Sequence, residues 1–453
     1  MGLWALEEVR NESHPVLRDG HNRCFNRGGT DVKKILKLAV SAAIALLPSA
    51  AAFAQTDVTW WDFLSGGDGV RMKALIKEFN DTHPDIKINA TTLEWGVPFY
   101  TKVQTAAAVG QQPDIMTYHM SRYPLAVPSG ILRPLAPEEL EAAGIKKENY
   151  VDASWKQATS DGKVYGIPFD IHSIVLYYNK TILKEAGLLG DDGLPKGLDG
   201  LDNFNASLEK IKATGKVEYP LSLHTDEGGS MWRVFYTLLA QQGAKFIEGD
   251  EILPGDAGVN ALKTMANWVS TGYSPKLISY EASIALFTSG KAAMHINGVW
   301  EVPTMADLQK NGNLGFEWGA IEIPNLMGTQ ATWADSHSFA IPNSEARPIS
   351  PEKVKIVLEI INWMNEHSIS WANAGHIPAY KPVTDSKEFK EMQPNATYAK
   401  LADTAVFDPV SKLAGVGGPI YEATQNFVVP ALNGQLEPED AIEQMREELK
   451  SQM

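Results

Sequence analysis

DVTWWDFLSGGDGVRMKALIKEF, residues 57–79, holds a strand, a glycine turn and a helix in one line. Asp57 to Phe63 is a short apolar run rich in aromatic and β-branched residues, which reads as a strand. Gly66-Gly67-Asp68-Gly69 interrupts it. Val70, Ala74, Leu75 and Phe79 then recur at helical spacing, and His83-Pro84 ends that helix. Ile86-Lys87-Ile88 reads as a second strand, Tyr100 to Val109 as a second helix and Ile115 to Tyr118 as a third strand. The unit is βαβαβ, with its glycine turn at the carboxyl end of the first strand, where ligands of open α/β sheets gather. Short apolar strands and amphipathic helices alternate through the rest, without tandem repeats, so the fold class is α/β.

Upstream lies VKKILKLAVSAAIALLPSAAAFAQ, residues 32–55. Lys33, Lys34 and Lys37 open it, an apolar run follows from Leu38, and Ala52-Phe53-Ala54 closes it. The run lasts about fifteen residues and contains Pro48, short of the roughly twenty a membrane-spanning helix needs. Basic, apolar and A-x-A elements in that order are an export signal, with cleavage expected after Ala54 and the periplasm as destination. Residues 1–31 show neither helical nor strand periodicity. The expectation is that translation starts at Val32 on a GTG codon. The codons of Arg27-Gly28-Gly29 are compatible with a purine-rich ribosome-binding site, and the other reading is an extended basic region of the signal.

Cys24, the sole cysteine, falls in residues 1–31, so a chain beginning at Gln55 has none. A large domain can stand on its core alone. The leader carries seven of the 40 Lys/Arg and five of the 55 Asp/Glu, leaving 399 residues of net charge −17. That balance excludes a protein whose affinity rests on basic contacts to nucleic-acid phosphates. The length suffices for two domains.

Five blocks carry a resemblance. DGKVYGIPFDIHSIVLYYNKTILKEAGL (Asp161 to Leu188) and FTSGKAAMHINGVW (Phe287 to Trp300) resemble the central and F-x-x-G-K-x-A-M-x-x-x-G-x-W blocks of the extracellular solute-binding proteins of family 1. These are the maltose-binding-like components of ABC sugar importers. QQPDIMTYH, WADSHSFAIP and WANAGHIPAYKPV stand in the same order as in that family, and the resemblance covers essentially all of residues 55–453. It implies a periplasmic binding protein fold of type II, with two α/β lobes joined by hinge crossings near Asp170, Pro324 and His367. The implied map is discontinuous: residues 55–169 and 324–367 form lobe 1, and residues 170–323 and 368–453 form lobe 2. It also implies a monomer that closes on a carbohydrate and delivers it to membrane permease subunits, with no catalysis and no cofactor.

Sugars present apolar C–H faces and a rim of hydroxyls, which suits aromatic rings beside a few placed polar groups. By resemblance, Trp300 is the stacking tryptophan and Tyr421 a second aromatic. Tyr118 and Arg122 follow the PDIMTY strand, where maltose binders present an aromatic, an acid and an arginine. Ser121 here replaces the acid. Asp170 and His172 flank the first crossing, His172 standing where those relatives carry an acid. Asp62, Ser65 and Asp68 are candidates from the first turn, Asp68 being equally suited to capping the helix that follows. Trp333, Asp335, Ser336 and His337 point to a loop lining the cleft, and Trp232 follows Gly228-Gly229. Trp60, Trp61, Trp268 and Trp363 read as core.

No HExxH or GxSxG appears, and no motif fixes the carboxylate pair of a glycosidase. The eight histidines beyond the leader show no zinc-ligand spacing, so no metal is expected. Tyr177-Tyr178 could ligate ferric iron, but strand alternation buries at least one of them. Ferric ion, a polyamine and an exported carbohydrate-active enzyme remain the rival readings.

Overall fold

The computed structural model describes residues 55–453; the leader and its cleavage site lie outside the described residues. Two sheets carry the fold. The first runs in the order Ile86–Thr92, Thr56–Asp62, Ile115–His119, His337–Ala340, Ile167–Pro168. Its first three strands are parallel, crossed over by helices Gly67–Thr82 and Val97–Ala108. This is the βαβαβ unit the sequence predicts. The second helix starts earlier than expected because Pro98 sits in its first turn, where a missing N–H leaves no bond unmade. In the first helix Met72, Leu75, Ile76 and Phe79 are buried, whereas Val70 is 60% exposed. The apolar face is therefore rotated away from the Val70 end of the expected stripe.

The second sheet is built on one long strand, Asp170–Asn179, in which every residue is buried. It pairs antiparallel with Ala292–Gly298, Trp318–Ile321, Thr332–Asp335 and Ile377–Pro378. Tyr219–Ser222 and Ala405–Phe407 complete the sheet. Burial on both faces explains the unbroken apolar run IVLYY inside it.

Each sheet has its own core. Helix Pro351–Glu366 packs with the first through Val357, Leu358 and Ile361. Helices Gly228–Gln241, Gly255–Ser270 and Pro438–Ser451 pack with the second, around Trp232, Trp268 and Met445. The chain leaves the first sheet between Pro168 and Asp170. It does not return near Pro324: Thr332–Asp335 still pairs with the long strand, and the change falls at Ser336. Trp371 and Ala374 still belong to the first core, whereas Ile377 pairs with the long strand, so the last passage lies near Gly375 and not at His367. Loop-like passages such as Ser336 carry no composition shift, and for that reason the sequence misplaces them. Among the described residues no helix is long and apolar enough to cross a membrane.

Candidate functional site

A cavity of about 400 Å³ lies where elements of the two sheets meet. Its lining comes from the carboxyl ends of strands, the expected place in α/β sheets. The Thr56–Asp62 strand leads into Phe63, Leu64, Ser65, Gly66 and Asp68, and the Ile115–His119 strand ends in His119. On the other side, the Tyr219–Ser222 strand leads to His224, and Ala292–Gly298 leads to Trp300 and Glu301. Trp95, Glu227, Ser230, Arg233, Tyr280, His172, His337 and His376 complete the wall.

Trp300 sits in a single 3-10 turn, Val299–Glu301, and is partly exposed. Its indole Nε1 donates to the Tyr280 hydroxyl at 2.8 Å, and that hydroxyl donates onward to Glu301. The buried Arg233 guanidinium lies 5.0 Å from the Trp300 ring, 4.9 Å from Trp333 and 5.9 Å from Tyr421. Three aromatic faces thus hold one cation. Arg233 projects from the Gly228–Gln241 helix, whose first amides, Gly229 N and Ser230 N, donate to the Glu227 carboxylate at 2.7 Å each.

Asp170 is fully enclosed beneath the lining. A carboxylate can only accept, so the nitrogens facing it must donate. His337 N and His337 Nδ1 do so at 2.9 and 2.8 Å, His172 Nδ1 at 3.1 Å and Trp371 Nε1 at 2.8 Å. Burial opposes its charge, but the His337 and His376 imidazoles outweigh that and hold Asp170 well below the usual carboxylate range. Burial and the neighbouring His337 push His172 down to about 3. Burial also holds His119 well below its ordinary value; its Nδ1 lies 2.6 Å from the Tyr100 hydroxyl. For His337, burial is outweighed by the Asp170 charge, which raises it. At neutral pH the cleft therefore offers uncharged imidazoles from His119 and His172.

Of the residues predicted from sequence, Trp300, His172, His337, Ser65 and Asp68 line the cavity. Asp68 is not the helix cap: Gly66 holds that position, and the Asp68 carboxylate accepts from Gly69 N at 2.6 Å. Asp170 supports the lining from below. Asp335 and Ser336 are buried behind it: Asp335 accepts from Ser121 N at 3.1 Å and from the Ser121 hydroxyl, and Ser336 donates to the Asp170 carbonyl. Tyr118 is buried against Tyr100, and Arg122 stacks over Tyr100 at 4.6 Å; neither lines the cavity. Tyr421 lies in the short helix Pro419–Ala423, packed against Arg233, with no partner for its hydroxyl among the described residues. Trp232 and Trp333 are core residues, both donating to Asp408 Oδ1 at 2.8 Å. Gly228-Gly229 opens a helix buried on all sides, which carries Trp232 inward.

Sequence reasoning missed His119, His224, Glu227, Arg233, Tyr280, Glu301 and His376. Five histidines meet in this lining although they are scattered over more than 250 positions. Chain spacing reveals ligands only when one element carries them; here different elements do.

Asp62 ends its strand under the lining and accepts from Leu64 N at 3.0 Å. Burial raises its carboxyl to about 6. A raised acid contributes stability that is present below its unfolded value and lost as pH rises through the folded one. Asp62→Asn should therefore gain on the order of 2–3 kcal/mol over wild type at pH 8 and almost nothing at pH 4. Urea midpoints at the two pH values measure this.

Residues 74–403 match a family model described as bacterial extracellular solute-binding protein. The maltodextrin-binding protein MdxE of Bacillus subtilis is 26% identical over 372 residues, covering 75% of this chain and 78% of that protein. The lactose-binding protein of Rhizobium radiobacter is 28% identical over 321 residues, 68% and 71% of the two chains. Among solved structures, the GacH receptor of Streptomyces glaucescens, studied with acarbose, superposes with a TM-score of 0.73 at 18% identity, covering 88% of this chain and 98% of its own. The fold is thus the two-lobed one of periplasmic binding proteins, and the chain belongs to the bacterial extracellular solute-binding protein family.

Proposed function

We propose that this protein is the substrate-binding component of an ABC importer, capturing a neutral di- or oligosaccharide and handing it to membrane permease subunits. The observation that carries this reading is the lining itself. A partly exposed indole, Trp300, and the exposed Trp95 stand beside polar groups that between them donate and accept: His172, Ser230 and Tyr280. Flat apolar rings suit sugar faces, and mixed polar groups suit hydroxyls. Relatives named for maltodextrin and lactose support it. The Arg233 cation works against a polyamine in the same cleft. Tyr177 and Tyr178 are both buried and donate to the carbonyls of Gly298 and Gly193, which works against ferric iron. Glu227 is committed to helix amides and Glu301 to Tyr280, an arrangement for binding and not for glycoside cleavage. A thermal-shift screen of neutral sugars, a sugar phosphate and spermidine tests the reading, because a ligand of the native state raises the melting temperature.

On this reading the lobes divide where the sheets change, at Phe169–Asp170, at Ser336 and near Gly375, and the mature protein works in the periplasm as a monomer. Arg71 of the Gly67–Thr82 helix forms a two-pronged bond to Asp307 of the Val302–Lys310 helix, at 3.0 and 2.9 Å. This pair spans the cleft and favours the closed arrangement modestly, since Asp307 is about half exposed and solvent screens it. Saturating ligand should lower the radius of gyration in solution scattering, a population shift toward closure. An unchanged radius would remove the hinge from the account.

A further inference from the structure

Three chain passages between the sheets meet at one point. Asp170 opens the long strand, His337 follows Ser336, and His376 precedes Ile377. Ligating atoms of Asp170, His172, His337 and His376, one from each, all lie within 4.8 Å of one another, and all four residues are buried. The Nδ1 atoms of His172, His337 and His376 stand 3.1, 2.8 and 2.9 Å from the Asp170 carboxylate.

His376 is the anomaly. Its ring is fully buried, yet neither nitrogen has an aligned hydrogen-bond partner among the described residues. Its Nδ1 is close to Asp170 Oδ2, but that oxygen already accepts from His337 Nδ1 and Trp371 Nε1. A buried imidazole without a partner is unfavourable unless something else engages it. Close approach without hydrogen-bond alignment is what two ligands of one ion show. In a tetrahedral zinc site with bonds of about 2.0 Å, donor atoms sit about 3.3 Å apart. The three nitrogen–carboxylate separations need to open by only a few tenths of an ångström, and the donor atoms otherwise lie within 4.8 Å of one another.

We infer that the cleft floor binds one divalent metal ion of the zinc class, held by His172, His337, His376 and Asp170. Three imidazoles and one carboxylate form a donor set of borderline softness, which suits zinc and also nickel or copper. The ion takes the place of the Nδ1 protons, and each neutral ring carries its proton on Nε2. Trp371 Nε1 and His337 N hold the carboxylate in place, and the Trp371 ring stacks on His376 at 4.5 Å. Such outer partners orient metal ligands. Because the ligands come from all three passages between sheets, the ion ties them together and stiffens the hinge. This inference does not rest on the carbohydrate reading, and zinc binding is measured with no sugar present.

The experiment uses untagged, EDTA-washed mature protein titrated with zinc chloride in a calorimeter. One equivalent should bind, and His376→Ala should weaken it at least about tenfold. Absence of zinc binding overturns the inference. So does stoichiometric binding that survives unchanged in both His376→Ala and Asp170→Asn, since the ion would then sit elsewhere. If either variant fails to fold in EDTA, cobalt(II) added to the wild-type protein gives a variant-free reading. Intense visible bands mark a four-coordinate site and support the inference; the faint bands of hexa-aquo cobalt overturn it.

Discussion

Replacing Trp300 by alanine is expected to weaken sugar binding by about 2 to 4 kcal/mol, the range of an aromatic hot spot. That is a loss of about 30- to 700-fold in Kd. The indole stands at the lining, anchored at Nε1 by Tyr280 and backed by the Arg233 guanidinium. Truncation removes a surface for a pyranose face and leaves the Tyr280 hydroxyl without its donor. It also strips one of three aromatic rings from a buried cation, so some stability should go with it. The loss should stay below the roughly 3 to 5 kcal/mol of an enclosed tryptophan, for which Trp232→Ala is the control within the same molecule. Calorimetric affinity paired with a denaturant midpoint separates the two. A Trp300→Ala protein that is badly destabilised yet binds its sugar at wild-type strength would take Trp300 out of the site.

Asp170→Ala should be the most damaging single change to the fold, lowering stability by about 3 to 5 kcal/mol. The carboxylate is the acceptor for His337 N, His337 Nδ1, His172 Nδ1 and Trp371 Nε1, all deep in the protein. Removing it leaves those buried donors unpaired. Asp170→Asn keeps the shape and one acceptor oxygen, and should cost less. The folded Asp170 titrates well below 3.8, so its contribution is present above the ordinary aspartate value and lost only as pH falls beneath it. The gap between wild type and Asp170→Asn should therefore persist down to about pH 4. Urea midpoints in EDTA measure it; equal midpoints for wild type and Asp170→Ala would show that the hub carries no stability.

The parts legible in the sequence are those written locally. Residues 57–118 spell out βαβαβ because strand and helix periods, glycine turns and His83-Pro84 lie within a few residues of the elements they define. Five residues expected at the ligand, Ser65, Asp68, His172, Trp300 and His337, stand in the cavity lining, and all lie in or beside quoted motifs at strand ends. What failed is what depends on distant chain. Arg233 stands in WRVFYTLL, a run that reads as an ordinary core helix, and only folding shows its guanidinium among three aromatic rings. His376 is one histidine in WANAGHIPAY until the long strand brings Asp170 beside it. Trp232 and Trp333 were drawn to the cleft by their neighbours in sequence, whereas their shared acceptor Asp408 lies in the core.

The most direct test of the central claim is calorimetric titration of the leader-free protein with neutral di- and oligosaccharides, followed by chromatography of the recovered ligand. At least one sugar is expected to bind at one equivalent per chain and to be recovered chemically unchanged. Binding only of a sugar phosphate or a polyamine, or the appearance of a cleaved product, would contradict it.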